Sequence, residues 1–273
     1  MAKVVLITGA SSGIGKESAK LLLKKGYVVY GSARRTEKMK DIEELGVKLL
    51  AMDVTKDDSM TEGIQTIINQ EGHIDILVNN AGYGSYGSLE DVPMDEAKYQ
   101  FEVNVFGLAR LTQLVLPYMR TQNSGKIINI SSIGGKIGEP HGSWYHATKF
   151  AVEGLSDSIR MELKQFGIDV VVIQPGAIKT EWNKIARENL AKVSGNTAYS
   201  TLAQKHVKLL EKADDKYGSE PIVIAKTIAK AIEAKKPKTR YVSGGGGKLI
   251  LRIRKMVSDR MFDAIMLNQM KKL

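Results

Sequence analysis

The chain has 273 residues, 43% of them hydrophobic and 26% charged, a balance that excludes wholesale disorder and allows one sizeable core. It has no cysteine, which excludes disulfides, zinc–thiolate sites and thiol catalysis. Its net charge of +10 is concentrated: residues 234–273 carry 11 Lys and Arg against two acids, and the other 233 residues are nearly neutral, which excludes a basic DNA-binding body.

In chain order, the first apolar run is residues 4–7, too short for a signal peptide, and no run reaches the ~18 residues of a membrane span. A cytoplasmic protein is expected. The run leads into Thr8-Gly9-Ala10-Ser11-Ser12-Gly13-Ile14-Gly15, at the mouth of a helix expected over 16–25. Glycines there permit a tight turn, and free N–H groups at a helix start favour a diphosphate. The second strand, 27–31, ends in Gly31-Ser32-Ala33-Arg34-Arg35. Sites for NAD place an acid near this point to hold a ribose hydroxyl. Here Arg34, Arg35 and Ser12 instead offer donors to a 2′-phosphate, so NADP(H) is expected in preference to NAD(H).

Strands follow at 47–52, 74–78, 126–130 and 168–173, with helices over 57–70, 95–120 and 145–166. Short, continuously apolar strands alternating with helices imply a parallel sheet buried on both faces. A last strand is expected at 239–243. The pattern predicts an α/β fold: a doubly wound, Rossmann-type parallel sheet of about seven strands with helices on both faces, plus a C-terminal helical extension. We divide it into one catalytic domain, 1–247, and a tail, 248–273. Residues 181–218 form a long insertion suited to a substrate lid.

Ser132 closes the fifth strand, and Tyr145 and Lys149 are four apart at the start of a helix, on one face. A nearby ammonium favours a phenolate, so Lys149 is expected to lower the Tyr145 pKa from its usual ~10. Tyr145 would then serve as general acid or base, with Ser132 holding the same substrate oxygen.

Together these segments resemble the short-chain dehydrogenase/reductase family. The matches are Thr8-Gly9-x-x-x-Gly13-Ile14-Gly15, Asn79-Asn80-Ala81-Gly82, Asn104, Ser132, Tyr145-x-x-x-Lys149 and Pro175-Gly176-x-x-x-Thr180, in family order across about residues 3–243. The resemblance implies a Ser-Tyr-Lys-Asn tetrad in which Asn104 holds a water linking Lys149 to solvent. It implies that Lys149 meets the nicotinamide ribose, that Gly9, Ser11, Gly13, Ile14 and Gly15 meet the diphosphate, and that Asn80, Ala81 and Gly82 flank the cofactor. Asp53 and Val54 would meet the adenine, and Pro175, Gly176, Ile178 and Thr180 the nicotinamide end. It also implies a homodimer or homotetramer built on the long helices. The Ser12/Arg34 pair is similar to the steroid and retinoid branch of the family.

No metal site is expected. For the substrate, Tyr83, His141, Trp144 and Trp182, with Tyr86, Met94, Ile133 and Tyr199, suggest a pocket for a bulky apolar ketone, aldehyde or alcohol. The alternative to an enzyme is a cofactor-binding regulator without turnover, although all four tetrad residues are present. In the tail, Ile250, Ile253, Val257, Met261 and Ile265 recur at helical spacing among Arg252, Arg254, Lys255 and Arg260. Such a basic amphipathic helix suits an anionic membrane surface, or a role covering the pocket or meeting a neighbouring subunit. No nucleic-acid motif is present.

Overall fold

The computed structural model describes residues 2–271; Met1, Lys272 and Leu273, which belong to the two expected segments, lie outside them. Seven strands form one parallel sheet in the order β3-β2-β1-β4-β5-β6-β7. They are β1 (Val4–Thr8), β2 (Val28–Ala33), β3 (Lys48–Ala51), β4 (Ile76–Asn79), β5 (Gly125–Ile130), β6 (Ile168–Pro175) and β7 (Arg240–Ser243). The intervening helices are α1 (Gly13–Lys24), α2 (Lys40–Glu43), α3 (Asp57–Glu71), α4 (Met94–Phe101), α5 (Gly107–Thr121) and α6 (Ser143–Leu163). They continue as α7 (Glu181–Ser194), α8 (Ser200–Tyr217), α9 (Ile222–Glu233), α10 (Gly247–Met256) and α11 (Asp259–Lys271).

Alternation along each strand builds two cores. On β1, Val5 and Ile7 pack with Leu22 of α1 and Ile224 and Ile228 of α9. Val4 and Leu6 point the other way, to Ile64 of α3 and Leu111 and Val115 of α5. Because side chains reverse faces at every residue, a strand covered on both sides must be apolar throughout. All of Val4, Val5, Leu6 and Ile7 are fully buried, and truncating such a residue to Ala costs about 2–5 kcal/mol. The strand order turns at β1 and β4, and an open α/β sheet opens its ligand crevice at that turn, beyond the carboxyl ends of the strands.

Three elements differ from expectation. The helix expected over 95–120 is interrupted by a π-helical turn, Glu102–Phe106, between α4 and α5. Residues 181–218 are two packed helices, α7 and α8, with a short turn between them. The tail is two helices, because Val257 is extended at φ −118° and ψ 153° and ends α10.

Candidate active site

A cleft of about 970 Å³ runs along the carboxyl ends of the strands. Its first end is backbone. Gly9 has φ +67°, and a Cβ there would sit 2.9 Å from Ala81 Cα. A Cβ on Gly15 would sit 2.2 Å from Gly9 O, so α1 can begin this close to β1 only with glycine at both positions. Asn80 braces the loop: its Nδ2 donates to Thr8 O at 2.8 Å and Gly9 O at 3.2 Å. Thr8 Oγ1 accepts from the N–H groups of Asn80 and Ala81. Gly9, Ser11, Ser12, Gly13 and Ile14 line the cleft, whereas Gly15 lies behind it against Gly9. Ser12 caps α1 by backbone only, so its hydroxyl makes no capping bond.

Beyond β2, Arg34 and Arg35 line the cleft, and Arg34 Nη1 donates to the Tyr99 hydroxyl at 2.7 Å. Ser32 Oγ on the same strand end is buried in the cleft wall and has no partner among the described residues. Asp53 and Val54 also line it, although Asp53 Oδ1 is engaged by the Thr55 N–H and hydroxyl. Asn80, Ala81, Gly82, Pro175, Gly176, Ile178 and Thr180 complete this part of the wall. Thr180 faces the glycine loop, its Cγ2 lying 3.1 Å from where a Gly13 Cβ would be. A glycine cradle that no side chain could occupy, an orphaned hydroxyl and two arginines with no ion pair among the described residues fit a dinucleotide.

At the centre, Ser132, Tyr145 and Lys149 line one wall. Ser132 Oγ accepts from Gly134 N–H at 3.0 Å. The Gly134 carbonyl lies 2.8 Å from His146 Nδ1, so one residue ties the serine to the residue after the tyrosine. Lys149 is buried and donates from Nζ to Ile130 O at 3.0 Å. Burial brings its ammonium down to about 8, against a partial offset from Glu153. The expected lowering of Tyr145 is not what the structure shows. Burial pushes its phenol up to about 12; the Ser132 hydroxyl pulls it down in part and the Glu139 carboxylate raises it. Lys149 Nζ lies 5.9 Å from the Tyr145 ring centre and is directed to Ile130 O.

Asn104 does not line the cleft but stands on the π-helical turn behind it. Its Oδ1 accepts from Tyr83 N–H at 2.8 Å, and Nδ2 donates to Tyr83 O and Thr148 Oγ1. A Cβ on Gly82 would come within 4 Å of both Asn104 Oδ1 and Lys149 Nζ, at 3.6 and 3.9 Å, so the two groups face one small gap.

Of the aromatic residues expected in the substrate pocket, Tyr83, Tyr86 and Trp182 line the cleft, with Ile133. Trp182 lies 4.9 Å from the Tyr145 ring, centre to centre, and Tyr86 at 5.7 Å. His141 and Trp144 are corrections. His141 takes φ +62°, turns inward and pairs its Nδ1 with His206 Nδ1 at 3.0 Å, outside the cleft wall. Burial, with a smaller contribution from His206, brings it down to about 4, so it stays neutral at neutral pH and offers no imidazolium as an acid. Trp144 packs edge-on against Phe101, away from the cleft. Met94 and Tyr199 are exposed and also lie outside.

Two residues outside the expected set, Glu139 and His146, also line the cleft. Glu139 lies in the cleft wall, accepts from the Tyr86 hydroxyl at 2.9 Å and sits 3.7 Å from His146 Nε2. Burial opposes its charge, but His146 and the Tyr86 hydroxyl hold the carboxyl down at about 2. Its signal was a lone carboxylate between Ser132 and Tyr145, in Gly138-Glu139-Pro140. With α7 and α8, the tail supplies the rest of the wall, through Leu249, Ile250 and Ile253 of α10 and Phe262, Ile265 and Met266 of α11.

Such a cleft, with a dinucleotide cradle at one end and a serine, tyrosine and lysine at its centre, defines a nucleotide-dependent oxidoreductase. The family model described as short chain dehydrogenase matches residues 3–191, and the chain belongs to the short-chain dehydrogenase/reductase family. It is 39% identical over 244 residues to a 3-ketodihydrosphingosine reductase of Bacteroides thetaiotaomicron, covering 89% of this chain and 88% of the relative. It is 37% identical over 285 residues to an NADPH-dependent 3-dehydrocapnine reductase of Ornithobacterium rhinotracheale, covering 99% and 98%. A crystal structure of a short-chain dehydrogenase from Streptomyces avermitilis superposes with a TM-score of 0.81 at 32% identity, over 93% of this chain and 92% of that one.

Proposed function

We propose that this oxidoreductase uses NADP(H) to reduce the carbonyl of a bulky, apolar ketone or aldehyde, and in reverse oxidises the corresponding alcohol. The observation that carries this reading is the wall of Ser132, Tyr145 and Lys149 facing a cleft whose far wall is apolar. Names of two relatives support the reductive direction, one carrying a 3-keto and one a 3-dehydro substrate, and the second carrying NADPH.

When bound, the dinucleotide supplies the hydride. The rest falls to the chain. The Ser132 oxygen accepts from Gly134 N–H, which leaves its own proton to hold the substrate oxygen. Tyr145, pushed up to about 12, retains its proton at neutral pH and gives it to that oxygen as the alcohol forms. The Lys149 ammonium, anchored on Ile130 O in the cleft wall, is placed to hold the nicotinamide ribose. Asn104 Oδ1 and Lys149 bound the gap beside Gly82 through which a proton returns. Arg34, Arg35 and Ser12 hold the 2′-phosphate. Asn104 also fixes Tyr83, and Trp182 and Tyr86 shape the substrate side of Tyr145.

A dimer or tetramer belongs to the same reading, supported by exposed Phe106, Phe150 and Met161 on or next to the long helices.

The test follows NADPH oxidation with a series of ketones of increasing apolar length, for wild type and Tyr145→Phe. Wild-type kcat/KM should rise along the series, and the variant should lose about 10²–10⁴-fold in turnover while its NADPH affinity stays unchanged. A variant that turns over normally overturns the role of Tyr145. A wild type that oxidises no NADPH with any ketone favours the non-enzymatic alternative.

A further inference from the structure

Part of the chain's excess positive charge lies on the two tail helices beside the cleft. The inner faces of α10 and α11 present Ile250, Ile253, Phe262 and Met266 to the cavity. On α10, Lys248, Arg252 and Lys255 are exposed, and helical spacing puts them on one arc. Arg260 and Lys271 are exposed on α11, while Arg254 is paired with Asp259.

Between the basic arc and the cavity wall runs an apolar edge that water covers. Leu249 is 62% exposed, Met256 78% and Met261 57%. Leu249 and Ile265 belong to both the exposed edge and the cleft lining, so they form its lip. The facing lip is on α8, where exposed Lys212, Lys216 and Tyr217 also line the cleft. An apolar rim of this kind around a cavity marks a contact surface. Its cations select the partner. A second copy of the chain would bring the same positive charge against it, whereas an anionic lipid surface attracts the lysines and arginines and accepts the apolar edge. Among the described residues no helix is long and apolar enough to cross a membrane, so the contact is a peripheral one.

We propose that α10, α11 and the α8 lip dock on an anionic lipid surface with the cleft mouth against the headgroups. An apolar ketone then passes from the bilayer into the cavity without crossing water; this consequence rests on the ketoreductase reading, and the docking does not.

The experiment sediments the full chain with phosphatidylcholine vesicles, with and without phosphatidylglycerol, and reads bound protein without turnover. Wild type should pellet only with the anionic vesicles, and release at about 1 M salt, where the screening length falls to about 3 Å. Arg252→Glu/Lys255→Glu/Arg260→Glu should lower the partition coefficient at least about a hundredfold. Met256→Ser/Met261→Ser should weaken it as well. None of these five residues lines the cleft, so both variants should reduce a short, water-soluble ketone at the wild-type rate, which also shows that they fold. A wild type that stays in the supernatant with anionic vesicles overturns the proposal, as does a charge-reversed variant that pellets equally. So does light scattering that shows a larger species lost on Met256→Ser/Met261→Ser when no vesicle binding occurs: the edge would then join two copies. Vesicle binding without ketone reduction would refute the ketoreductase reading and leave the docking intact.

Discussion

The two ends of the cleft are made of different material. At the β1–β4 end the wall is backbone, and its fit depends on the absence of Cβ atoms at Gly9 and Gly15. At the tail end the wall is side chain, with Ile250, Ile253, Phe262 and Met266 on two helices that follow the last strand. A backbone wall has one shape and suits a ligand that never changes. A wall of flexible apolar side chains tolerates variation, and suits the partner that differs from one enzyme to the next.

Substitutions at the two ends should therefore differ in kind, abruptly lost at one and graded at the other. The largest effect is expected for Gly15→Ala, which sets a methyl 2.2 Å from Gly9 O, an atom of the backbone that cannot rotate away. It should destabilise the fold by about 1–3 kcal/mol, seen as a lower thermal midpoint, with a matching loss of NADPH affinity by calorimetry. Next is Arg34→Ala, which should weaken NADPH about tenfold to a hundredfold and leave NADH nearly unchanged in the same titration. Equal losses would show that Arg34 does not read the 2′-phosphate.

Between the two ends, Lys149 sets a pH limb. Its burial-lowered ammonium is charged below about 8 and neutral above. Reductive kcat/KM should be flat below that pH and fall about tenfold per unit beyond it. Lys149→Arg remains charged throughout, so its profile should lose the limb. The smallest effect is expected at the tail: Ile253→Ser should raise KM for a long apolar ketone about threefold to tenfold and leave a short one untouched. An abrupt loss there would erase the contrast between the two walls.

What the sequence made legible follows the same division. The inner strands were readable because a sheet buried on both faces demands unbroken apolar runs, and β1 with its five buried residues is the plainest case; the partly exposed edge strands β3 and β7 carry a weaker signal. The glycine loop, Ser132, Tyr145 and Lys149 were readable because each depends on chain spacing. The π-helical turn was not, since a change of hydrogen-bond register leaves composition untouched; it moves Asn104 behind Tyr83. His141 and Trp144 were misplaced because loop aromatics after a strand can point either way, and a positive φ at His141 settled the direction. The phenol shift was misread because spacing gave the nearness of Lys149 but not the carbonyl of Ile130 that claims its proton. The tail read as one helix because its apolar period runs across Val257, where only the backbone angles show a break.

One feature of the sheet bears on how the molecule is made. β1 is paired with β2 on one edge and with β4 on the other, so it alone joins β3-β2 to β4-β5-β6-β7. Of the seven strands β1 is synthesised before the other six, yet it becomes an interior strand, third in the sheet. It can pair with β2 early, but Val5, Leu6 and Ile7 must wait for Ile76, Leu77 and Val78 before their second edge is filled. Until then a fully apolar strand has an open side, the condition under which nascent chains recruit chaperones or pair with one another. A truncation that trims even these few leading residues would sever the sheet into two parts rather than shorten it.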